Sequence, residues 1–167
     1  MTMVFTDGSV IVGDGTVLEK ATVVVEGQRI VKVSKNGRTL PRGAERIGLD
    51  GGCLLPGLID SHVHLCGDGS PDPFASILKD SPPLLTLKTA EHARQTLLAG
   101  VTTVRDMGGA HLIDLAVRDA AASGLIQAPR ILASGRVVCM TGGHGWPIGR
   151  EADGPAEVRR AAREQIK

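Results

Sequence analysis

The sequence predicts an α/β protein in which a strand-and-turn segment, residues 1–56, precedes a run of parallel βα units, residues 57–167. Three observations carry that expectation. The first fifty residues alternate short β-branched runs with glycine-rich turns. From Leu58 onward, strand-like runs alternate with segments of helical period. Between the two lies LLPGLIDSHVHL, residues 54–65, an apolar run that enters through Pro56-Gly57 and ends in two histidines.

Taken in order, residues 10–12 read as a strand before the turn signal Gly13-Asp14-Gly15. Residues 21–26 and 29–34 flank Gly27-Gln28 and read as a hairpin, with Asn36-Gly37 closing its second strand. Residues 45–49 and 53–55 read as further short strands around Asp50-Gly51-Gly52. By itself this segment reads as a small β-sandwich module. The first strand of the second segment ends at His64, and residues 66–83, rich in Gly, Pro, Asp and Ser, read as a long functional loop. Residues 84–99 read as a helix with Ala90, Ala93 and Leu97 on one face and Gly100 as its stop. Residues 101–106 follow as the second strand. The next helix is expected over 111–123, burying Leu112, Leu115 and Ala116, and the third strand over 130–139. A last helix opens at Gly154-Pro155, proline suiting its first position, and carries Val158, Ala161, Ala162 and Ile166 on one face. It reaches Lys167 without a stop signal, so the sequence reads as ending inside an element.

The two histidines are the chemically pointed feature. Alternate residues of a strand share a face, so His62 and His64 leave one side while Val63 and Leu65 leave the other. Two neutral imidazoles held together by one strand can grip a divalent ion. A bare His-x-His more often ends a strand without a ligand; the buried apolar strand and the Pro-Gly entry favour the metal reading here.

Composition removes other classes. Nineteen Lys and Arg face 18 Asp and Glu, a net charge of +1, which gives no electrostatic reason to expect nucleic acid or an anionic membrane. The aromatics are only Phe5, Phe74 and Trp146, too few for base stacking. The opening MTMVFTDGSVIV lacks the basic start and apolar core of a signal peptide, and no apolar run approaches the ~20 residues of a membrane span. Three scattered cysteines, Cys53, Cys66 and Cys139, read as reduced thiols of a cytoplasmic protein.

PGLIDSHVHL, residues 56–65, resembles the first barrel strand of the amidohydrolase superfamily of metal-dependent hydrolases. GVTTVRDMGG (100–109) and SGRVVCMTGGHG (134–145) resemble the branch holding imidazolonepropionase-like enzymes and the prolidases and carboxypeptidases that cleave Xaa-Pro or Xaa-Arg/Lys dipeptides. The resemblance runs over nearly the whole chain. It implies the first three βα units of a TIM-type barrel, an incomplete barrel, preceded by the N-terminal strands of a small β-sandwich. A full barrel takes about 250 residues and builds its site at the C-terminal ends of eight strands.

The resemblance further implies a binuclear centre, zinc by expectation, held by the first-strand His62 and His64, a carboxylated lysine on strand four, histidines on strands five and six and an aspartate on strand eight. After Lys88 the only lysine is Lys167, and no histidine follows His144. The later ligands and the catalytic aspartate are therefore expected beyond Lys167, so no catalytic residue is assigned within the 167 residues. The implied chemistry is hydrolysis in which divalent ions lower the pKa of water and polarise the scissile carbonyl, with the distant aspartate moving the proton to the leaving amine.

Around the histidine pair, Asp60 shares strand parity with His62 and His64 and is a candidate to orient an imidazole. A carboxylate paired with another buried polar group is the competing reading. His144, between the glycines of TGGHG, is placed by the resemblance against the substrate carbonyl or carboxylate, and an ordinary loop histidine is the alternative. Arg105 and Asp106 end the second strand, Arg105 as a substrate contact and Asp106 as a support for the metal ligands; an ion pair that fixes the loop competes with both roles. Arg136 is a weaker candidate of the same kind. Cys66 is expected as a small buried thiol, and His92 and His111 as surface residues of helices.

The leading function is thus metal-dependent hydrolysis of an amide or peptide bond in a dipeptide or N-acyl amino acid, with this chain inactive by itself. A non-catalytic fragment is the first alternative, and a cyclic-amide hydrolase of the imidazolonepropionase or dihydroorotase kind is the second. The expected partners are a small amide or dipeptide substrate, and either further copies of the chain or a complementary C-terminal chain, because three barrel strands leave two sheet edges open.

Overall fold

Strand alternation makes β1 (Thr2–Ile11) the axis of the first part of the molecule, since Val4, Thr6, Gly8 and Val10 turn inward at every second position. The computed structural model describes residues 1–35, 37 and 40–166. Asn36, of the turn predicted after the hairpin, and Lys167, the predicted end of the last helix, lie outside the described residues. The chain divides into two units, Met1–Pro56 and Gly57–Lys167.

In the first unit, β1 pairs antiparallel with β2 (Val17–Glu26), which forms the expected hairpin with β3 (Arg29–Lys35), Glu26 opposite Arg29. On its other side β1 pairs parallel with β4 (Glu45–Gly48) and β5 (Cys53–Leu54). The sheet order is β3-β2-β1-β4, with β5 beside β4 along β1. Val10, Ala21 and Val23 form its small core, with Phe5, Leu18, Val25 and Leu54 packed around them. Two expectations change. The first strand begins at Thr2 rather than near Val10, because two of its four inward positions are Thr6 and Gly8, so burial alternates where hydropathy does not. The described residues also form one mixed sheet, without the second, facing sheet that a sandwich requires.

The second unit is a parallel sheet covered by helices. β6 (Leu58–Val63) leads through α1 (Pro73–Lys79) and α2 (Pro82–Leu98) to β7 (Val101–Asp106). α3 (Ile113–Ala122) then leads to β8 (Arg130–Ala133), and the order β6-β7-β8 is parallel throughout. The α2-to-β7 link turns at Gly100, whose φ of +92° suits glycine after a helix end and whose carbonyl accepts the Leu58 N–H at 2.9 Å. β9 (Val137–Cys139) and β10 (Gly149–Glu151) make a separate two-stranded parallel ribbon before α4 (Gly154–Gln165). One core joins Leu65, Cys66, Ile77, Leu85, Ala93, Val104, Ile113, Val117 and Ile131.

Several sequence expectations are corrected here. The long loop expected over 66–83 contains α1, which opens with Pro73 at a first-turn position and which the surrounding Gly, Ser and Pro conceal. α2 buries Leu85, Thr89 and Ala93, spaced by four, rather than a face centred on Ala90 and Leu97. His111 and Leu112 have φ of +56° and +60°, so α3 starts only at Ile113. Its buried face is accordingly Ile113, Asp114 and Val117, one residue on from the predicted Leu112 and Ala116 face. The single strand expected over 130–139 is two strands, broken at Gly135. α4 buries only Ala161, while Val158 and Ile166 stay exposed.

Candidate functional site

The site grows from the end of β6. The strand stops at Val63, one residue before the predicted end, and His64 opens the following loop. Val63 packs against the core and Leu65 enters it, while His62 and His64 remain exposed. Both imidazoles line one cavity of about 640 Å³. Their ring centroids are 5.6 Å apart with planes inclined at 70°.

Four of the five histidines reach that cavity: His62, His64, His92 and His144. α1 supplies the apolar wall of Phe74 and Ile77, and Val137 and Ile148 add to it from the later segments. His144 stands edge-on to Phe74 with ring centroids 5.5 Å apart, which fixes the histidine at the cavity wall. His111 is exposed and does not take part.

The loops that bear His64 are held from below. Asp106, the last residue of β7, is fully buried and accepts the Leu65 N–H at 3.1 Å through Oδ2 and the Gly108 N–H at 2.9 Å through Oδ1. The Gly108 carbonyl in turn accepts from His64 Nδ1 at 2.8 Å. On the other side, His92 Nδ1 donates to the Leu65 carbonyl at 2.9 Å. Gly108 has φ of +126°, and a Cβ there would meet the Val137 nitrogen at 2.9 Å, so only glycine serves this turn.

Burial pushes the Asp106 carboxyl above the ordinary carboxylate range, opposed by the two N–H donors and by attraction to His64. Asp114 is raised too, first by burial, with the neighbouring Asp106 charge adding to the rise. It accepts the Gly135 N–H at 2.7 Å through Oδ2, whereas its buried Oδ1 has no partner among the described residues. That bond holds the bend separating β8 from β9. Burial likewise lifts the Cys66 thiol to about 11, which leaves it an un-ionised packing residue.

Among the other predicted residues, Asp60 lines the cavity, but its Oδ1 accepts the backbone N–H of His62 at 3.0 Å. The imidazole of His64 is oriented instead by the Gly108 carbonyl. Three residues of β6 span two of β7 between Asp60 and Val63, and this irregularity breaks the parity that placed Asp60 beneath the rings. Arg105 neither lines the cavity nor pairs with Asp106; its Nε donates to the Ser61 carbonyl at 2.7 Å and ties β7 to β6. Arg136 presents its backbone N–H to Gln165 Oε1 at 2.8 Å.

His92, expected at the surface, is half-buried and reaches the cavity. The spacing within α2 gave no sign of this, because its partner is a loop carbonyl 27 residues away. Phe74 was hidden with α1 itself.

The fit to a metal can be judged from the donors. A carbonyl accepts only, so the ring nitrogen of His64 facing Gly108 carries hydrogen and Nε2 keeps its lone pair for a ligand. Among the described residues no group of three or more His, Cys, Asp or Glu side chains gathers tightly enough to hold an ion. His62 and His64 together offer two imidazoles to a divalent ion, short of the three or four protein ligands that zinc sites use. No helix among the described residues is long and apolar enough to cross a membrane.

The fold is shared with known proteins. Residues 53–167 match the amidohydrolase family, and the chain belongs to it. An ochratoxinase of Aspergillus niger is 28% identical over an alignment of 193 residues that covers 96% of this chain and 38% of the relative. Among solved structures, a prolidase complexed with N-methylphosphonate-L-proline superposes with a TM-score of 0.84 at 32% identity, over 99% of this chain and 44% of that one. A Xaa-Pro dipeptidase with methionine bound in its active site gives a TM-score of 0.85 at 27% identity over the same shares. The chain thus spans less than half the length of these relatives.

Proposed function

We propose that this chain forms part of a metal-dependent hydrolase that cleaves an amide or peptide bond in a dipeptide or N-acyl amino acid, of the Xaa-Pro or Xaa-Arg/Lys type. The observation that carries the reading is the placement of His62 and His64 side by side on one cavity, with His64 anchored through Nδ1. Family membership supports it, as do the prolidase and Xaa-Pro dipeptidase that resemble the chain. In this reading β6, β7 and β8 are the first three strands of a TIM-type barrel, and the sheet of the first unit is one share of a β-sandwich.

His62 and His64 would hold one divalent ion, zinc by expectation, of a binuclear centre; when bound, such ions acidify water and polarise the scissile carbonyl. The protein's own groups prepare the site. Phe74, Ile77, Val137 and Ile148 offer an apolar wall suited to a proline ring or an aliphatic side chain. His144, braced by Phe74, would donate a hydrogen bond to a substrate carbonyl or carboxylate. The 167 residues supply too few ligands for turnover on their own, so hydrolysis needs residues from outside them. The three free thiols favour a reducing, cytoplasmic setting.

The test is a titration of the chain with zinc alone, followed through the imidazole resonances of His62 and His64. Both are expected to shift together, and the doubly substituted H62A/H64A chain is expected to lose the binding. Zinc that leaves both rings unmoved overturns the reading. Hydrolysis of Xaa-Pro dipeptides by the 167 residues alone would overturn the claim that further residues are required.

A further inference from the structure

We propose that Asp106 and His92 are positioning residues that hold the backbone of Leu65 through its N–H and its carbonyl and thereby hold His64 as its Nδ1–H tautomer with Nε2 free. The consequence for metal affinity rests on the function proposed above; the tautomer itself does not.

The grip follows from three residues meeting across the fold. One carboxylate oxygen of Asp106 binds the N–H of Leu65, the residue directly after His64. The other binds the N–H of Gly108, the residue whose carbonyl holds the His64 ring. A single buried side chain thus sets both the start of the His64 loop and the position of its ring acceptor. His92, reaching in from α2, takes the carbonyl of the same Leu65. The Met107 N–H adds a backbone bond to the Val63 carbonyl at 2.9 Å, so the loops after β6 and β7 are stapled on either side of His64.

The chemistry of Asp106 explains why a carboxylate sits where burial opposes its charge. Two backbone donors converge on it, and only a carboxylate offers two acceptor oxygens in that volume. Asparagine has nearly the same shape but one acceptor; its NH₂ would face an N–H and release one of the two loops. His62 provides an internal contrast. It shares the cavity with His64, two residues before it, yet its ring has no hydrogen-bond partner among the described residues.

The experiment uses the 167-residue chain labelled with ¹⁵N-histidine, at a pH near 8 where an ordinary imidazole is neutral. Ring ¹⁵N shifts report the tautomer in solution, or under magic-angle spinning if the chain associates. In the wild type, His64 is expected as Nδ1–H and His62 as the unconstrained mixture. In Asp106→Asn the His64 pattern should move toward that of His62, and the apparent zinc affinity should fall about 10- to 100-fold. His92→Phe should shift His64 in the same direction by less, and His92→Gln, which restores an N–H donor, should return it to the wild-type pattern.

A folded Asp106→Asn chain with the wild-type His64 pattern overturns the proposal. If that variant does not fold, the His92 pair decides: a wild-type pattern in His92→Phe, or no recovery in His92→Gln, overturns it as well. A wild-type chain that shows the tautomer but takes up no zinc overturns the metal reading and leaves the grip standing.

Discussion

On the face of the β6-β7-β8 sheet that α2 and α3 cover, Val104, Asp106 and Ile131 are sealed from water. On the opposite face Ile59 and Leu132 are 73% and 56% exposed, beside Arg105 and Arg130. The same three strands thus carry a finished surface and an open one. The covered face draws its partners from helices that lie between the strands in sequence, so a short stretch of chain completes it. The open face mixes apolar Ile59 and Leu132 with arginines, and a parallel sheet is ordinarily covered on both sides. The histidine cavity lies at the C-terminal ends of these strands, and Asp106, buried on the covered side, reaches up to tie the loops that hold it.

The strongest way to break the contrast is Leu85→Ala beneath the covered face. Leu85 is almost wholly buried in the core shared with Val104, and truncation should cost about 2–5 kcal/mol, read from urea midpoints. A loss below about 1 kcal/mol would mean that the covered face is no better packed than the open one. Next is Gly108→Ala, where a positive φ and the Val137 nitrogen at 2.9 Å oppose any side chain. It should cost about 1–3 kcal/mol and disturb the His64 ring resonances in the same sample.

Asp114 sharpens the comparison through pH. Burial raises its carboxyl in the folded chain, so folding favours its protonated form. The stability it contributes is complete below its unfolded pKa, about 3.9, and is lost as pH rises through the raised folded value. Asp114→Asn stays neutral and keeps an acceptor for Gly135. It should gain on the wild type as pH rises from about 4 toward 7. Urea melts across that range test this, and a difference that does not vary with pH would refute it.

The smallest effect on folding is expected on the open face. Ile59→Lys and Leu132→Lys should change stability by less than about 0.5 kcal/mol. They should nonetheless reduce the self-association proposed for this sheet, measured by sedimentation velocity. A wild-type chain that is already monomeric removes the reason to expect association.

Much of this site was legible in sequence. Strand period placed Val63 and Leu65 in the core and left both histidines out, and the Pro-Gly entry marked where the second unit begins. His144 was singled out by its glycines and does line the cavity. Arg105 lies off the cavity because a carbonyl of the adjacent strand holds it, and Asp60, which does line the cavity, binds the His62 backbone rather than a ring. α3 was offset by one residue because two non-glycine residues with positive φ precede it, a conformation that side-chain periodicity does not announce.

By itself, then, the sequence determined what is local: the strand that carries His62 and leads into His64, the hairpin around Gly27-Gln28, and the alternation of strands with helices, all set by period and turn chemistry within a few residues. Only the tertiary structure decided the roles of Asp106 and His92. Their partners lie 41 and 27 residues away in the chain, and a hydrogen bond across that distance exists only once the sheet and α2 have packed.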